Sequence, residues 1–346
     1  MKLVLRSLQF VLILLVLYLA VVFAFSRIGS GANTIMKIAT RNPVTPGGFG
    51  FTLQRFQDIE NYRDVDIVFL GSSHCYRTFD TRIYEEYGLK TFNMGTTGQT
   101  PLNTYYLLKY YFDQLNPKLV IFDINYRVID RDGLESFYDL SQNIEYFPEM
   151  MDMAFAIKSF HAINGAVSKW ILDVTGTAPK FRQRERKQDS YVAGGYVEFN
   201  SDTSSAAKSY ETKPVSRKIS KHKPRTVVPL KEQLDYIAKV VHFVKNKNAR
   251  IVLITKPEPP ENLKVIANYD EVSRQIADLA LRINVSYIDF NHVPLPLNAR
   301  EHFYDKEYLS PAGVQVFNPV LIEMLHERNM INWQTRTPMP EASLLD

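Results

Sequence analysis

The chain has 346 residues, of which 45% are apolar and 23% are charged, and its formal net charge is +4. This length and composition allow one large domain or two small ones, while so mild a charge argues against a nucleic-acid-binding protein, whose basic residues gather in clear excess on one face. Cys75 is the single cysteine, so no intramolecular disulfide forms and cysteine usage does not identify the redox compartment.

An apolar run over residues 8–25, with one polar interruption, follows Lys2 and Arg6 near the N-terminus. At 1.5 Å per residue, a helix of this length spans most of a hydrocarbon core of roughly 30 Å. The rest of the chain contains no comparable stretch. The sequence therefore predicts one transmembrane anchor in residues 1–28.

A cleaved signal peptide is the alternative interpretation of this segment. Its apolar region is normally shorter, about 7–15 residues, and a small-residue cleavage site follows it. Residues 23–26, with the sequence Phe-Ala-Phe-Ser, make a poor cleavage site, which favours the uncleaved anchor. The basic residues before the run favour a cytoplasmic N-terminus, although Arg27, Lys37 and Arg41 follow it. We expect a single-pass membrane protein with its main domain outside the cytoplasm.

The segment after the anchor is rich in Gly, Asn, Thr and Pro up to Gly50 and shows no periodicity. Such a composition indicates a loop. We assign residues 29–60 to a stalk or linker, residues 61–335 to the main domain and residues 336–346 to a tail.

The first part of the main domain alternates strands with helices. The apolar run 65–70 ends at Gly71 and predicts a buried strand followed by a turn. The next predicted elements are a helix, a strand, a helix and a strand, at residues 80–87, 89–94, 104–115 and 119–124. This alternation predicts a parallel sheet with helices on both faces.

The alternation resumes in the C-terminal part of the chain. The predicted elements are a helix, a strand, a helix, a strand and a helix, at residues 230–245, 249–255, 269–283, 285–290 and 311–326. Five parallel strands with intervening helices predict an α/β, flavodoxin-like three-layer sandwich.

A long insertion, residues 130–228, separates the third predicted strand from the fourth. Residues 144–174 are rich in Met, Phe and Ile and are predicted to be helical, whereas the remainder is polar. So polar a segment predicts a mobile, solvated insertion. The alternative is a basic patch for an anionic glycan, a phosphate polymer or a lipid headgroup. Its basic residues are Lys180, Arg182, Arg184, Arg186, Lys187, Arg217, Lys218, Lys221, Lys223 and Arg225.

The first predicted strand runs into Gly71-Ser72-Ser73-His74. In open α/β sheets, ligands bind beyond the carboxyl ends of the strands, and a glycine permits the tight turn that exposes a serine hydroxyl there. If a helix begins at this turn, its backbone N–H groups can stabilise an oxyanion. The alternative is that Ser72 and Ser73 only cap the next helix.

Two further strand-end segments are unusual. The loop after the second strand contains Gly95 and Gly98, which let the backbone approach a ligand closely or merely relieve strain. Asp305 lies on the loop before the last helix, where an Asp can orient a base three residues later. The same loop also suits helix capping, with Ser310 as the N-cap and Pro311 at the first helical position.

In this order and on these strand ends, the three segments resemble the SGNH (GDSL-like) hydrolase family over about residues 65–125 and 249–325. The resemblance implies that Ser73 is the nucleophile, with Ser72 standing where the family has Asp. It implies that Gly98 and Asn125 bind the oxyanion, although Asp-Ile-Asn at 123–125 departs from the family's usual G-x-N-D. Asp305 matches the Asp of the family's D-x-x-H block.

Tyr308 stands where that family has its general base histidine. A tyrosine with a pKa near 10 is a poor base at neutral pH. Two histidines are candidate replacements: His302, three residues before Asp305, and His74, beside the expected nucleophile. Gln99, Tyr308 and His74 are also candidate binding residues.

The residues Tyr76-Arg77 and Phe79-Asp80, which follow the serine turn, look like a membrane-anchored branch of the family. That branch resembles proteins of cell-envelope glycan O-acetylation and teichoic-acid D-alanylation, which implies a multi-pass acyltransferase partner. The polymer would be an anionic or neutral envelope glycan, with no nucleic acid involved. Neither a cofactor nor a metal is expected, because no His/Cys/Asp cluster has ligand spacing.

Three functions are open at this point. The first is a serine esterase or O-acyltransferase that uses Ser73. The second is a non-catalytic binding or assembly subunit, because Tyr308 replaces the expected histidine. The third is a nucleotide- or phosphate-binding protein, which ranks last because neither G-x-G-x-x-G nor a P-loop lysine motif occurs at a strand end.

Overall fold

The computed structural model of the chain describes residues 1–30, 33–34, 47–178, 188–200, 224–305 and 307–332. The predicted anchor forms helix α1, Lys2–Arg27, which is long and apolar enough to cross a membrane. A signal sequence or the core helix of a soluble protein would meet the same criterion. A two-residue antiparallel pair, Gly29–Ser30 with Asn33–Thr34, follows this helix.

Seven longer strands lie in the described part of the chain: β1 (Ile67–Leu70), β2 (Thr91–Asn93), β3 (Leu119–Asp123), β4 (Asp189–Val192), β5 (Tyr196–Phe199), β6 (Arg250–Thr255) and β7 (Ser286–Asp289). Five of them form one parallel sheet in the order β2-β1-β3-β6-β7. Strands β1, β2 and β3 are buried at every position, because helices cover both faces of the sheet. The predicted flavodoxin-like α/β sandwich is confirmed.

The other helices are α2 (Thr52–Asp58), α3 (Ser73–Thr78), α4 (Thr81–Glu86), α5 (Pro101–Leu115), α6 (Leu134–Asn143), α7 (Pro148–Ala156), α8 (Phe160–Val174), α9 (Lys231–Asn246), α10 (Pro260–Leu263), α11 (Tyr269–Arg282) and α12 (Pro311–Glu327), with short 3-10 turns at Phe49–Phe51 and Ile59–Asn61. Helix α5 begins three residues before the predicted start. The reason is a capping box, in which the Thr100 side chain accepts from the N–H of Asn103, with Pro101 at the first helical position.

The side chains of β1 alternate between two hydrophobic cores on the opposite faces of the sheet. Val68 and Leu70 pack into the larger core, with residues of α5, α9 and α11. Ile67 and Phe69 pack into the smaller core, with residues of α4 and α12. The sheet is thus enclosed, and its carboxyl-terminal edge is where the loops that carry the expected site residues meet.

The folded body begins earlier than residue 61. Residues 52–60, assigned by sequence to the stalk, form α2 and a 3-10 turn, and Phe56 and Ile59 belong to the larger core. Arg55 of α2 is fully buried and donates to the carbonyl oxygens of Gly50 and Gly195, each at 2.8 Å. The glycine-rich composition indicated a loop, but these buried contacts place α2 within the domain.

The insertion contains more ordered structure than the sequence indicates. Its predicted helical part is confirmed as α7 and α8, and α6 precedes them. Strands β4 and β5 form an antiparallel hairpin, within the stretch predicted to be mobile, and Tyr196 and Val197 are buried. The backbone N–H of Asn93 donates to the Gly194 oxygen at 2.7 Å, so the hairpin is fixed to the edge strand β2. Residues 188–200 therefore form a hairpin bonded to the sheet, where the polar composition predicted a solvated loop.

The basic residues of the insertion lie outside the described residues, with one exception. Arg225 forms an ion pair with Asp130, at 3.0 Å between Nη1 and Oδ2. The predicted basic patch is therefore not described by the structure.

Candidate active site

The turn after β1 can be formed only with glycine at position 71. A Cβ atom added to Gly71 would lie 2.9 Å from Cys75 Cβ and 3.0 Å from the Asp123 oxygen. Ser72 is the N-cap of α3, and its Oγ accepts from the N–H of His74 at 3.4 Å. The capping interpretation therefore holds for Ser72, while Ser73 is the first helical residue and its hydroxyl is left for another contact.

The hydroxyl of Ser73 contacts the last loop of the domain. Its Oγ lies 3.0 Å from Tyr308 Oη, and the Ser73 side chain is half-buried. Among the described residues, the backbone N–H of Ser73 has no acceptor. Burial raises the pKa of the Tyr308 phenol above its usual value, so Tyr308 is a neutral hydroxyl at physiological pH.

Asp305 contacts the backbone of its own loop. Its Oδ1 accepts from the N–H groups of Glu307 at 2.7 Å and Tyr308 at 2.9 Å. Burial raises the pKa of this carboxyl. Ser310 caps α12 by accepting from the N–H of Gly313 at 3.1 Å, as the capping interpretation predicts. Asp305 thus fixes the position of Tyr308 through the backbone.

The two candidate histidines lie in different surroundings. His74 is 3% exposed and stacks on the Tyr308 ring, with centroids 4.8 Å apart and an interplanar angle of 28°. Burial, helped by Lys256, holds the pKa of His74 well below its usual value, so its imidazole is neutral at physiological pH. His302 contacts its own loop, where its Nδ1 accepts from the N–H of Asn298 at 2.7 Å. The structure brings His74, and not His302, to the Ser73–Tyr308 pair.

A buried ion pair that the sequence analysis did not identify lies beside His74. Lys256 and Glu258 follow β6, and both side chains have an exposed fraction of 0%. Lys256 Nζ lies 3.7 Å from Glu258 Oε1, and Glu258 Oε1 lies 3.9 Å from His74 Nδ1. The sequence did offer one indication of this pair. Two charged residues follow directly after an apolar strand, at the sheet edge where ligands bind.

The same ion pair is tied to the Tyr308 loop and to the end of β3. Lys256 Nζ donates to the Glu307 oxygen at 2.6 Å, and Arg127 Nη1 lies 3.3 Å from Glu307 Oε1. Glu258 Oε2 accepts hydrogen bonds from Tyr126 and Asn262. Burial lowers the pKa of Lys256, while Glu258 and Asp123 oppose that shift. These contacts support the loop that carries Tyr308.

The loop after β2 approaches the serine turn at Gly95. A Cβ atom added there would lie 3.0 Å from the Ser72 oxygen, and the N–H of Thr96 donates to the Gly71 oxygen at 3.3 Å. Gly98 has a φ of +65°, and a Cβ there would lie 3.2 Å from the Glu135 carboxyl carbon. Gly95 therefore makes the closest approach to the turn, a contact that sequence spacing alone does not reveal.

Gln99 and Asn125 have different roles in these loops. Gln99 is buried and bonds within its loop, accepting from Thr96 Oγ1 at 2.8 Å and donating to Thr104 Oγ1 at 2.9 Å. Asn125 accepts from the N–H of Arg127 at 2.8 Å. The buried Nδ2 of Asn125 has no acceptor among the described residues. Asn125 thus retains a donor at the end of β3, whereas Gln99 is used to shape its loop.

The hairpin from the insertion forms an aromatic wall beside Tyr308. Arg77, 10% exposed in its side chain, pairs with Asp189 at 3.1 Å and lies over the Phe199 ring at 3.8 Å. Phe199 in turn stacks on Tyr304, with ring centroids 3.7 Å apart. The insertion therefore contributes one side of the site.

The carboxyl group of Asp123, at the end of β3, is buried and has a raised pKa. Its Oδ1 accepts from the N–H of Lys256 at 3.2 Å, and its buried Oδ2 has no partner among the described residues. Burial raises the pKa of Asp123 to about 7. An unfolded aspartate has a pKa of about 3.9. The folded state therefore holds this proton more tightly, and the stability that it contributes is lost as pH rises through the folded pKa.

Replacing Asp123 by asparagine is expected to remove this pH dependence. The free energy of unfolding of Asp123→Asn, relative to that of the wild type, should increase by about 2–3 kcal/mol between pH 5 and pH 8. Urea unfolding in mild detergent at the two pH values measures this difference. Asp113→Asn on the exposed side of α5 is the matched control. An equal pH dependence in wild type and Asp123→Asn would contradict the shifted pKa.

Comparison with known proteins finds similarity in structure but not in sequence. No protein-family model matches the chain, and no curated protein matches it. One solved structure that resembles it is a proposed acylhydrolase from Bacteroides fragilis. The two chains share 11% identity with a TM-score of 0.42, and the alignment covers 82% of this chain and 99% of the acylhydrolase.

Two other similar structures are named as enzymes that cleave esters. A GDSL-like lipase from Bacteroides thetaiotaomicron has 10% identity and a TM-score of 0.41, over 81% of this chain and 98% of the lipase. A psychrotrophic esterase from a Pseudoalteromonas species has 9% identity and a TM-score of 0.40, over 77% and 99% of the two chains. These values describe what the chain resembles and assign it no activity.

Proposed function

We propose that this chain is a membrane-anchored serine esterase or O-acyltransferase of the SGNH type, which acts on cell-envelope glycans through Ser73. The observation that carries the proposal is the contact of Ser73 Oγ with Tyr308 Oη at 3.0 Å. This contact joins a half-buried hydroxyl at the carboxyl edge of a parallel sheet to the last loop of the domain, and that edge is where open α/β sheets bind their ligands.

In the proposed reaction, Ser73 Oγ attacks an acyl carbonyl and the bond from the carbonyl carbon to the donor oxygen or sulfur breaks. The serine proton leaves with the donor alcohol or thiol, and a covalent acyl-serine remains. The free N–H of Ser73 and the free amide of Asn125 are donors for the oxyanion, with Gly98 as the donor that the family resemblance implies. Preorganised donors of this kind are usually the largest single contribution to acyl-transfer catalysis. The oxygen of a glycan hydroxyl or of water then attacks the acyl carbon, the bond to Ser73 Oγ breaks, and the proton of the attacking hydroxyl restores the serine.

Tyr308 orients the Ser73 hydroxyl but is a poor proton acceptor at neutral pH, because burial raises its pKa and keeps the phenol protonated. A weak base at the nucleophile favours donors whose leaving group departs without strong assistance. The acyl donor of this site is therefore an activated ester or thioester, in keeping with a multi-pass acyltransferase that delivers the acyl group at the membrane. The glycan acceptor and this partner are implied by the resemblance of the segment around the serine turn.

The proposal is tested by hydrolysis of p-nitrophenyl acetate, an activated ester, by the full chain in mild detergent. The Ser73→Ala variant is expected to lose at least about tenfold in rate, a modest loss because the wild type lacks a strong base. Intact-protein mass spectrometry should detect the acyl adduct in the wild type and not in Ser73→Ala.

Ser72→Ala is the matched control, since it removes the neighbouring hydroxyl and only a helix cap worth about 1 kcal/mol. Equal activity in wild type and Ser73→Ala would overturn the proposed nucleophile. A folded wild-type chain that neither hydrolyses the ester nor forms an adduct would favour the non-catalytic assembly subunit.

A further inference from the structure

Helix α1 is docked on the insertion helix α8 along its C-terminal part. Tyr18 Oη donates to Asn164 Oδ1 at 2.6 Å, and the hydroxyls of Ser26 and Ser168 lie 2.6 Å apart. Between these bonds, Val22 is only 2% exposed and packs against Val167 and Ile171. The apolar contact lies between the two hydrogen bonds. Together they fix α8 beside the C-terminal end of α1, which leads into the domain.

The length of α1 determines how deep this contact lies in a bilayer. After the charged Arg6, residues 7–17 are exposed, and these eleven residues span only about 16 Å. A hydrocarbon core is about 30 Å thick and requires about 20 helical residues. The segment Tyr18 to Ser26, which contacts α8, is therefore needed to complete the span.

Helix α8 exposes large apolar side chains beside this contact. Phe160 is 84% exposed, Val174 is 70% exposed and Trp170 is 40% exposed, and Phe155 at the end of α7 is 57% exposed. Such a group is unfavourable in water but suits the boundary between headgroups and acyl chains, where tryptophan is enriched.

We propose that α8 and the end of α7 lie in the outer leaflet of the bilayer that α1 crosses, with the lipids of that leaflet as the occupant of their exposed apolar surface. The inference rests on the membrane anchoring in the proposed function. Since Asn164 pairs with Tyr18 and Ser168 with Ser26, the N-terminal end of α8 lies deeper. Phe160 then lies deepest, among the acyl chains, and Trp170 lies at the headgroup level.

The chain contains two tryptophans, Trp170 and Trp333, which makes a direct measurement possible. In the full chain with Trp333→Phe, reconstituted in phosphatidylcholine vesicles, Trp170 is the single tryptophan. Lipids brominated near the headgroup end of the acyl chain are expected to lower its fluorescence about twofold, while external iodide has little effect. A second variant, Phe160→Trp with both native tryptophans replaced by Phe, should be quenched more strongly than Trp170 by lipids brominated nearer the end of the acyl chain.

The matched control places a tryptophan on α11, which packs on β7 and α9. Leu281 on α11 is 78% exposed, and Leu281→Trp in the background without native tryptophans should be quenched by iodide and not by brominated lipid. Vesicle flotation after carbonate washing, measured on the same samples, reports the anchor separately.

A chain that floats, but whose Trp170 is quenched by iodide and not by brominated lipid, would overturn this inference and leave the anchor intact. A chain that does not float would overturn the anchor, and this inference with it. Lipid quenching that appears only when the protein is diluted in the bilayer would assign the surface to a second copy of the chain and also overturn the inference.

Discussion

Replacing Tyr308 by histidine is expected to raise the rate of p-nitrophenyl acetate hydrolysis about 100-fold, the lower end of the range in which general base catalysis acts. The phenol oxygen at this position is already 3.0 Å from Ser73 Oγ. An imidazole with a pKa of about 6.5 accepts the serine proton far more readily than a phenol whose pKa is raised by burial. Because imidazole is shorter, it contacts Ser73 directly or through one water, and both geometries support proton transfer.

The pH profile of the Tyr308→His variant distinguishes this explanation from a simple change of packing. The new base must be unprotonated, so the rate should rise with pH through the imidazole pKa, which burial places below its usual value of about 6.5, and then level off. Tyr308→Phe is the control, since it removes the hydroxyl without adding a base and should gain nothing. Equal rates for the His and Phe variants would show that position 308 does not reach the nucleophile productively.

Replacing Glu258 by glutamine is expected to lower the free energy of unfolding by about 3–5 kcal/mol, the usual cost of breaking a buried ion pair. Lys256 and Glu258 are both fully buried, and the carboxylate also accepts from Tyr126 and Asn262. Without the Glu258 carboxylate, the Lys256 ammonium is left unpaired in a low-dielectric site. The pKa of Lys256, which burial already lowers, then falls further. Urea unfolding of the full chain in detergent measures the loss.

Two controls separate the buried charge from a general effect of substitution. Removing both charges, in Lys256→Met with Glu258→Gln, should recover part of the loss because no buried ion remains unpaired. Asp235→Asn, which breaks the exposed pair with Lys231 on α9, should cost less than about 0.5 kcal/mol. If Glu258→Gln were as mild as Asp235→Asn, the buried pair would not stabilise the site loops.

The five strands of the main sheet could be predicted because the information for them is local. Each is a short apolar run that ends at turn residues, and alternation with helices implies the parallel order. The boundaries moved by one to three residues where capping decides them, as at Thr100 and Pro101. The contact of Tyr308 with Ser73 agrees with the position that the motif spacing implies, although the spacing alone does not show the hydrogen bond.

Other features depend on partners that are far apart in the sequence. The β4–β5 hairpin is polar, and it is fixed by Arg55, Arg77 and Asn93, which precede it by about 100 residues or more. The Lys256–Glu258 pair becomes recognisable only when the end of β3 lies beside it. Local composition therefore indicated a solvated loop for the hairpin and did not show that the two charges are buried.

The bond between Ser73 and Tyr308 joins residues that are 235 positions apart in the chain. A ribosome that adds about 5–20 residues per second needs about 10–50 s to make that interval. During this time the serine turn has been synthesised but the loop that holds its hydroxyl has not. A nascent or truncated chain that ends before Tyr308 therefore carries the nucleophile without its partner, and the site is completed only after that residue has been added.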